Sequence, residues 1–288
     1  MAAMIESNDA FTAFWNDVMV AKFERFRDIM LRGFSYHSDV PLAKLELPAG
    51  ARAVDVGCGW GDTAIELARK VGPGGAVLGL DCCDAFLETG RRDAAAAGLA
   101  NVQFVGADVQ TYPFAPEFDL CFSRFGMMFF ANPVAAMRNV RRALKPGGTL
   151  MFITWRALDE NPCLSMPKAV VSRFLPPPGE DGQNCGPGPF SMANPDVVRA
   201  QLEAAGFTGA SFEPIDGPVM IGRDVAQAID FQLTLGPAGE IFREAGALAE
   251  ARSGEIETAL RRELAPYARD DGVWMNSSSW TIRARNPG

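Results

Sequence analysis

Apolar residues follow two different spacings along this chain, and each spacing predicts a different kind of element. Between about residues 10 and 47, apolar and aromatic side chains recur at helical intervals, which predicts amphipathic helices. From residue 51 to residue 155, short apolar runs alternate with segments of helical spacing. Such alternation is typical of a mostly parallel sheet with helices on both faces. We therefore expect an α/β fold preceded by N-terminal helices.

Turn signals set the limits of the elements in the alternating part. Gly98 suits a helix C-cap, and residues 48–50, 73–75 and 145–148 suit turns that lead into strands. The predicted strands are 51–56, 76–80, 102–106, 118–123 and 149–155, and the predicted helices are 62–71, 84–97 and 133–144.

The pattern loosens after residue 155. Residues 156–192 are rich in proline and glycine, which predicts a long loop with one short helix. A helix at 195–205 and a strand at 210–214 return to the core pattern. Residues 223–268 are mostly helical, and residues 273–284 are predicted to form the closing strand.

This organisation predicts a cover and a main domain. Residues 1–47 are expected to form an N-terminal helical cover, and residues 48–288 the ligand-binding domain. Lid-like insertions are expected at about 156–192 and 223–268, because long irregular segments in compact domains usually carry function. We expect substrate specificity to reside in these three segments, which together would form a cap.

Composition narrows the classes of partner. The formal net charge is −8 and no stripe of lysine and arginine is visible, so a nucleic acid is not expected and a small molecule is. No apolar run reaches membrane-spanning length, and the first residues lack the pattern of a secretory signal. We expect a cytoplasmic protein. The oligomeric state is left open, with a homodimer as one option.

The cysteines do not form a metal-binding pattern. The chain has six cysteines and one histidine, and no two cysteines are spaced as C-x-x-C. Such a set does not make a zinc site, so no metal is expected. Reduced cysteines packed in a core are the simpler interpretation.

Candidate chemistry begins at a glycine-rich turn after the first predicted strand. The turn Gly57-Cys58-Gly59-Trp60-Gly61 leads into a helix that begins near Asp62. Glycines let the backbone pass close to a ligand, and the helix offers free N–H groups. Asp81, at the end of the second strand, is placed to accept from ribose hydroxyls. Asp108, after the third strand, lies at the same edge of the sheet and is placed to accept from an adenine amino group.

Five stretches together resemble the class I S-adenosylmethionine (SAM)-dependent methyltransferases, and among them the UbiE/COQ5-like group. The resemblance implies SAM as cofactor and S-adenosylhomocysteine as product. It also implies a Rossmann-like sheet of seven strands in the order 3-2-1-4-5-7-6, with the last strand antiparallel. The stretches are VDVGCGWGDT (54–63), GLDCC (79–83), GADVQTYPF (106–114), FDLCFSRFGMMFF (118–130) and LKPGG (144–148).

The resemblance also implies roles for individual residues. Asp81 and Cys82 match the ribose site, and Asp108 and Val109 match the adenine site. Ser123 matches the end of the fourth strand, beneath the methionine group. The remaining predicted cofactor-binding residues lie in the glycine turn and are Asp55, Gly57, Gly59, Gly61, Asp62 and Thr63.

The acceptor side rests on fewer residues. His37 is the only histidine, so it is the candidate base near neutral pH, and a hydrogen-bonded loop histidine is the alternative. Arg124 is a candidate catalytic residue that either binds an acidic acceptor group or the SAM carboxylate, or pairs with an acid at a helix end. Trp15 and Phe125 are predicted to line an apolar acceptor pocket.

We therefore expect a methyltransferase that acts on a small molecule, by C- or O-methylation of a quinone-like or other aromatic or apolar compound. Two alternatives stay open. One is a non-catalytic SAM-binding regulatory module, and the other is an NAD-binding oxidoreductase. The spacing G-x-G-x-G, with an acidic residue two positions before it, argues against the second, because dinucleotide folds use G-x-G-x-x-G.

Overall fold

The computed structural model describes residues 8–177, 179 and 187–288. Residues 1–7 of the predicted cover, and residues 178 and 180–186 of the predicted long loop, lie outside the described residues. The described strands are β1 (Arg52–Val56), β2 (Ala76–Asp81), β3 (Val102–Gly106), β4 (Phe118–Arg124), β5 (Leu144–Trp155), β6 (Thr208–Gly222), β7 (Ala268–Arg269) and β8 (Gly272–Arg285).

Helices surround these strands. Short 3₁₀ turns and one π-helical turn, Trp15–Met19, connect some of them. The α-helices are α1 (Asp9–Phe14), α2 (Val20–Arg25), α3 (Arg27–Ala43), α4 (Asp62–Val71), α5 (Asp84–Ala96), α6 (Pro133–Ala143), α7 (Pro162–Val171), α8 (Pro195–Ala204), α9 (Val225–Thr234), α10 (Gly236–Ala245) and α11 (Ala247–Leu264).

The strands form one sheet in the order β3-β2-β1-β4-β5-β8-β6. Neighbours from β3 to β5 run parallel, and β8 runs antiparallel to both β5 and β6. The predicted order is confirmed, with one difference in the strand count. The two-residue β7 pairs with β8, so the strand predicted as seventh is eighth along the chain. A two-residue pairing is too short to leave a periodic signal in the sequence.

Strand β6 is much longer than the predicted strand at 210–214. It continues to Gly222 through Pro214, Gly217 and Pro218, residues that normally interrupt a strand. The position of β6 in the sheet explains why proline and glycine are tolerated in this strand. Because β6 is the last strand of the sheet, one of its edges needs no ladder partner, and proline is accepted at such an edge.

Alternating side chains of the central strands fill two hydrophobic layers. On β1, Ala53 packs with the cluster that includes α4, whereas Val54 and Val56 pack with the cluster that includes α6 and α8. The sheet is thus covered on both faces, as predicted. Its carboxyl edge, where β1 and β2 end, remains the place for a ligand.

A third hydrophobic cluster joins segments distant in sequence and includes side chains of β6 and β8. Phe26 and Ile29 of the N-terminal region pack in one cluster with Val170 of α7, Phe231 of α9 and Ile241 of α10. The segments predicted as cover and insertions therefore pack together in one cluster with the end of the sheet that β6 and β8 form. We call this group of helices, α1–α3, α7 and α9–α11, the cap. Within the described part of the chain, no helix combines the length and apolarity needed to cross a bilayer.

Candidate active site

The glycine turn between β1 and α4 has a backbone that glycine alone adopts easily. Gly57, Gly59 and Gly61 have φ angles of +64°, +53° and +77°. A Cβ at Gly61 would lie 2.4 Å from Cε1 of Phe104, so that glycine serves close packing. A Cβ at Gly59 would meet no atom within 4 Å, although Gly59 lines a cavity. The open space at Gly59 is therefore room for a ligand against the backbone.

Asp81 at the end of β2 fixes the shape of this turn. Its Oδ2 accepts from the N–H of Gly59 at 2.8 Å, and its Oδ1 accepts from the N–H of Cys83 at 3.0 Å. Burial raises the pKa of the Asp81 carboxyl, and the two backbone N–H groups partly offset that effect. The carboxylate also lines the cavity, so a bound hydroxyl group would share it with Gly59.

Asp55 lies beneath the turn and outside the cavity lining. Its Oδ2 accepts from Oγ1 of Thr63 at 2.6 Å, and its Oδ1 is buried with no hydrogen-bond partner among the described residues. Burial raises the pKa of this carboxyl to about 7, with the negative charge of Asp62 adding to the effect. A buried oxygen without a hydrogen-bond partner reduces the free energy of unfolding. Asp55, beneath the glycine turn, is therefore an energetically unfavourable position.

The third acidic position, Asp108, lies after β3. Its Oδ1 accepts from the N–H of Gln110 at 2.9 Å and from Nδ2 of Asn8 at 3.3 Å. Asn8 also accepts from the N–H of Ala131 at 3.0 Å, so it bridges two loops at the cavity rim. Asp108 and Val109 both line the same cavity as Gly59 and Asp81.

One cavity of about 610 Å³ joins this edge of the sheet to the cap. It brings together most of the residues predicted from sequence. The structure places Gly61, Ser123, Asp55 and His37 outside the lining; Ser123 is fully buried and its Oγ has no partner among the described residues. The predicted residues that do line the cavity are Trp15, Gly57, Gly59, Asp62, Thr63, Asp81, Cys82, Asp108, Val109, Arg124 and Phe125.

Arg124 pairs with an acid at a helix end and also lines the cavity, so its predicted contacts with a cofactor or an acceptor stay predictions. Its Nη2 lies 2.7 Å from Oδ2 of Asp62, the acid that begins α4, and its Nη1 donates to Oγ of Ser38 at 3.1 Å. The pair is largely buried, and both members line the cavity. Arg124 thereby ties the glycine turn to helix α3 of the cap.

Phe125, directly after β4, has a positive φ of +59°. Such a backbone is uncommon for a residue with a bulky side chain and costs about 1–3 kcal/mol. Its ring stacks on Trp155 with centroids 4.1 Å apart and planes at 17°, and Phe34 of α3 packs its edge against both rings. The strained backbone thus presents an aromatic face to the cavity.

His37, the predicted candidate base, lies outside the cavity lining. It is fully buried in α3, and its Nδ1 and Nε2 each lie 2.7 Å from a serine hydroxyl, those of Ser279 and Ser277. Burial, aided by the charge of Arg124, lowers the pKa of the imidazole to about 4. The histidine is therefore neutral and bonded on both sides, which agrees with the hydrogen-bonded alternative, although in a helix and not in a loop.

The cap reaches the cofactor side of the cavity through contacts that the sequence did not indicate. Nε1 of Trp60, in the glycine turn, donates to Oε1 of Glu24 in α2 at 2.6 Å. Nδ2 of Asn16 donates to the carbonyl oxygen of Cys82 at 3.1 Å. These partners are 36 and 66 residues apart in sequence, so no local pattern points to them.

Cys82 and Cys83 lie side by side with their Sγ atoms 3.8 Å apart, next to Asp81. A hydrogen bond with Cys82, together with burial, raises the pKa of the Cys83 thiol. A protonated thiol is a poor metal ligand, so the group is better suited to shape the wall of the cavity than to hold a cation.

Comparison with known proteins agrees with this geometry. Residues 53–148 match the family model of a methyltransferase domain. The ubiquinone/menaquinone biosynthesis C-methyltransferase UbiE of Coxiella burnetii is 31% identical over 159 residues, which is 54% of this chain and 62% of that protein. A demethylmenaquinone methyltransferase of Staphylococcus carnosus is 27% identical and is covered to 76% of its length. This chain thus matches less than two thirds of the length of the UbiE relative.

Solved structures support the same fold. A putative methyltransferase of Bacillus halodurans superposes with a TM-score of 0.56 at 20% identity, covering 89% of this chain and 100% of the other. The sheet order, the glycine turn and the sequence matches lead to one assignment, and they confirm the predicted resemblance. Residues 53–148 are thus similar to a methyltransferase domain, and the sequence as a whole is similar to the SAM-dependent methyltransferases of the UbiE-like group.

Proposed function

We propose that this protein transfers the methyl group of SAM to an aromatic or apolar small molecule in the cytoplasm. The observation that carries the proposal is the open space at Gly59, which lies in one cavity with Asp81, Asp108 and the stacked ring of Phe125. A cofactor bound along the glycine turn would lie in the same cavity as the residues that bind its carboxylate and the residues that face the acceptor.

The residues divide the work of holding the cofactor. Asp81 offers its carboxylate to ribose hydroxyls, and Asp108 with Val109 bounds the place for the adenine. Asp62 and Arg124 carry opposite charges and line the cavity, so they suit the ammonium and carboxylate of an amino-acid group. SAM supplies a methyl group on a positive sulfur, which is already activated for displacement.

The acceptor side of the cavity is built from aromatic rings. Trp15 packs edge-on against Phe129 with centroids 5.2 Å apart, and Phe125 stacks on Trp155. Rings in these arrangements offer flat and edge surfaces to another ring. The UbiE and demethylmenaquinone relatives act on quinones by name, so C- or O-methylation of a quinone-like or other aromatic compound is the finer part of the proposal.

The chain supplies positioning more than acid–base chemistry. His37 is neutral and outside the cavity lining, so we assign it no proton transfer. Holding an acceptor aligned with an activated methyl group can by itself supply about 7–11 kcal/mol of rate enhancement. Residues of the cap line the cavity, and an acceptor bound against them would displace water from the reacting centre.

The test has a binding step and a turnover step. Thermal shift with SAM, S-adenosylhomocysteine and NADH should show stabilisation by the first two only, and incubation with SAM and a metabolite extract should give S-adenosylhomocysteine and a compound heavier by one methylene. Stabilisation by NADH alone would overturn the proposal in favour of an oxidoreductase. Tight SAM binding with no product in any extract would favour a regulatory module.

Matched variants make the binding step specific. Gly59→Ala and Gly98→Ala both place a side chain on a backbone of positive φ where no atom lies within 4 Å of the new Cβ. The two variants should therefore lose similar stability. Only Gly59→Ala should weaken SAM binding, because only Gly59 lines the cavity. Equal SAM affinity in both variants would contradict the proposed cofactor position.

A further inference from the structure

The charged side chains that line the cavity differ in whether they have a partner. Within the described residues, the lining carries four carboxylates and two cations: Asp62, Asp81, Asp108, Glu240, Arg124 and Lys168. Asp62 pairs with Arg124. Asp81 and Asp108 accept hydrogen bonds from backbone N–H groups of the cofactor side.

Glu240 on α10 is also fully engaged. Its Oε1 accepts from Nη2 of Arg243 at 2.5 Å, and its Oε2 accepts from Nε of the same guanidinium at 3.2 Å. This two-point pairing makes Arg243 the cationic partner of Glu240, and Arg243 also pairs with Glu244. No ion pair joins Glu240 to Lys168 in the described part of the chain.

Lys168 is the exception. It projects from α7, is half-buried, and lines the cavity together with apolar residues such as Leu158, Leu164 and Phe231. No carboxylate of the described residues lies within ion-pair distance of its Nζ, as the set of ion pairs shows. A partly buried ammonium without a counter-ion is costly, so the position favours a ligand that brings a negative charge.

We propose that Lys168 binds an acidic group of the methyl acceptor, which makes the substrate an amphipathic anion with an aromatic or apolar body. The inference rests on the proposed methyltransferase function and specifies its substrate class. The acid of the substrate would lie at the cap, against α7. Its ring would face Phe125 and Trp15, and the cofactor charges would stay with Asp62 and Arg124.

This arrangement gives the cavity two separate anion-binding positions. Arg124 belongs to β4 and is tied to the glycine turn, whereas Lys168 belongs to the cap helix that packs against α10. An acceptor with an acid at one end would therefore be oriented along the cavity and not merely held in it. Neutral analogues of the same shape would keep the apolar contacts and lose the orientation.

The experiment compares matched acids and amides on the full chain. The enzyme is first titrated with S-adenosylhomocysteine, and the saturated complex is then titrated calorimetrically with 2-naphthoate, 1-hydroxy-2-naphthoate and decanoate, each beside its carboxamide. We expect at least one acid to bind about tenfold or more tightly than its amide, the size of a charge-assisted hydrogen bond. Equal affinities in every pair, or no binding by any acid, would overturn the inference.

Variants assign the preference to the lysine. Lys168→Met should abolish the preference for the acid while leaving the amide and S-adenosylhomocysteine affinities unchanged, and Lys168→Arg should retain it. Lys70→Met is the matched control, since Lys70 lies on α4 outside the cavity lining and its loss changes the net charge equally. An acid preference that survives in Lys168→Met would contradict the role. If S-adenosylhomocysteine did not bind in the first titration, that result would instead contradict the proposed methyltransferase function.

Discussion

At the scale of single residues, the site combines strained and fully satisfied positions. Phe125 holds a left-handed backbone, and Asp55 buries an oxygen that has no partner among the described residues. His37, by contrast, has both ring nitrogens bonded to hydroxyls. The strained Phe125 lines the cavity and Asp55 lies beneath the glycine turn, whereas the fully bonded His37 joins α3 to β8.

The strain at Phe125 predicts an unusual order of stability among small substitutions. Phe125→Ala should lose the ring stacking and keep the unfavourable backbone, whereas Phe125→Gly loses the ring and adopts the same φ without strain. We expect the glycine variant to be the more stable of the two by about 1 kcal/mol in urea unfolding. An alanine variant of equal or greater stability would show that the backbone relaxes once the ring is gone.

The buried histidine predicts a specific dependence of stability on pH. Its pKa is about 4 in the folded protein against 6.5 for an ordinary histidine, so the unfolded chain binds the extra proton between these values. The stabilisation that His37 gives is complete above pH 6.5 and is lost progressively as the pH falls towards 4. Relative to a His37→Gln variant, the wild type should lose up to about 3 kcal/mol of unfolding free energy across that window.

The comparison with the variant is needed because Asp55 acts in the opposite direction. Its carboxyl pKa is raised to about 7, so the folded protein binds the extra proton and loses stability as the pH rises from 4 to 7. The wild-type profile mixes both effects, and the difference between wild type and His37→Gln isolates the histidine. A difference that stays constant from pH 7 to pH 4 would contradict the shifted imidazole.

At the scale of elements, those that depend on local sequence signals could be predicted, whereas those that depend on long-range pairing could not. Strands β1 to β5 can be predicted from local apolar runs. The turn glycines can be predicted because the local backbone conformation favours glycine. The extension of β6 through Pro214 and Pro218 does not, because it depends on being the edge of the sheet. The serines that bond His37 lie 240 and 242 residues further along the chain, which is why its burial was not predicted.

The link between α2 and the glycine turn gives a prediction at this scale. Glu24→Leu leaves the largely buried indole N–H of Trp60 without its acceptor, and we expect a loss of about 1–3 kcal/mol of stability. Hydrogen exchange should become faster in α2 before it does in α4. Glu24→Gln keeps an oxygen at the same place and serves as the control. Equal behaviour of the two variants would mean that the contact does not hold the cap.

At the scale of the whole molecule, the cavity is shared between a sheet edge and a cap whose hydrophobic cluster also includes residues of β6 and β8. Neither part encloses the cavity alone, since its lining draws on the glycine turn, on α1 and α2, and on α7 and α10. Binding of the cofactor should therefore change the dynamics of elements on the far side of the cavity. The helices α6 and α8 contribute no residue to the cavity lining and should be unaffected.

This shared enclosure predicts the pattern of protection by S-adenosylhomocysteine. In hydrogen exchange, the ligand should protect the glycine turn and also α1, α2 and the cavity-lining part of α10, because binding in the cavity orders all of its walls. Exchange in α8 provides the internal reference. The Gly59→Ala variant, at the same ligand concentration, should show neither effect. Protection confined to the turn and to the ends of β2 and β3 would mean that the cap moves independently of the cofactor, and the acceptor would then have to recruit it.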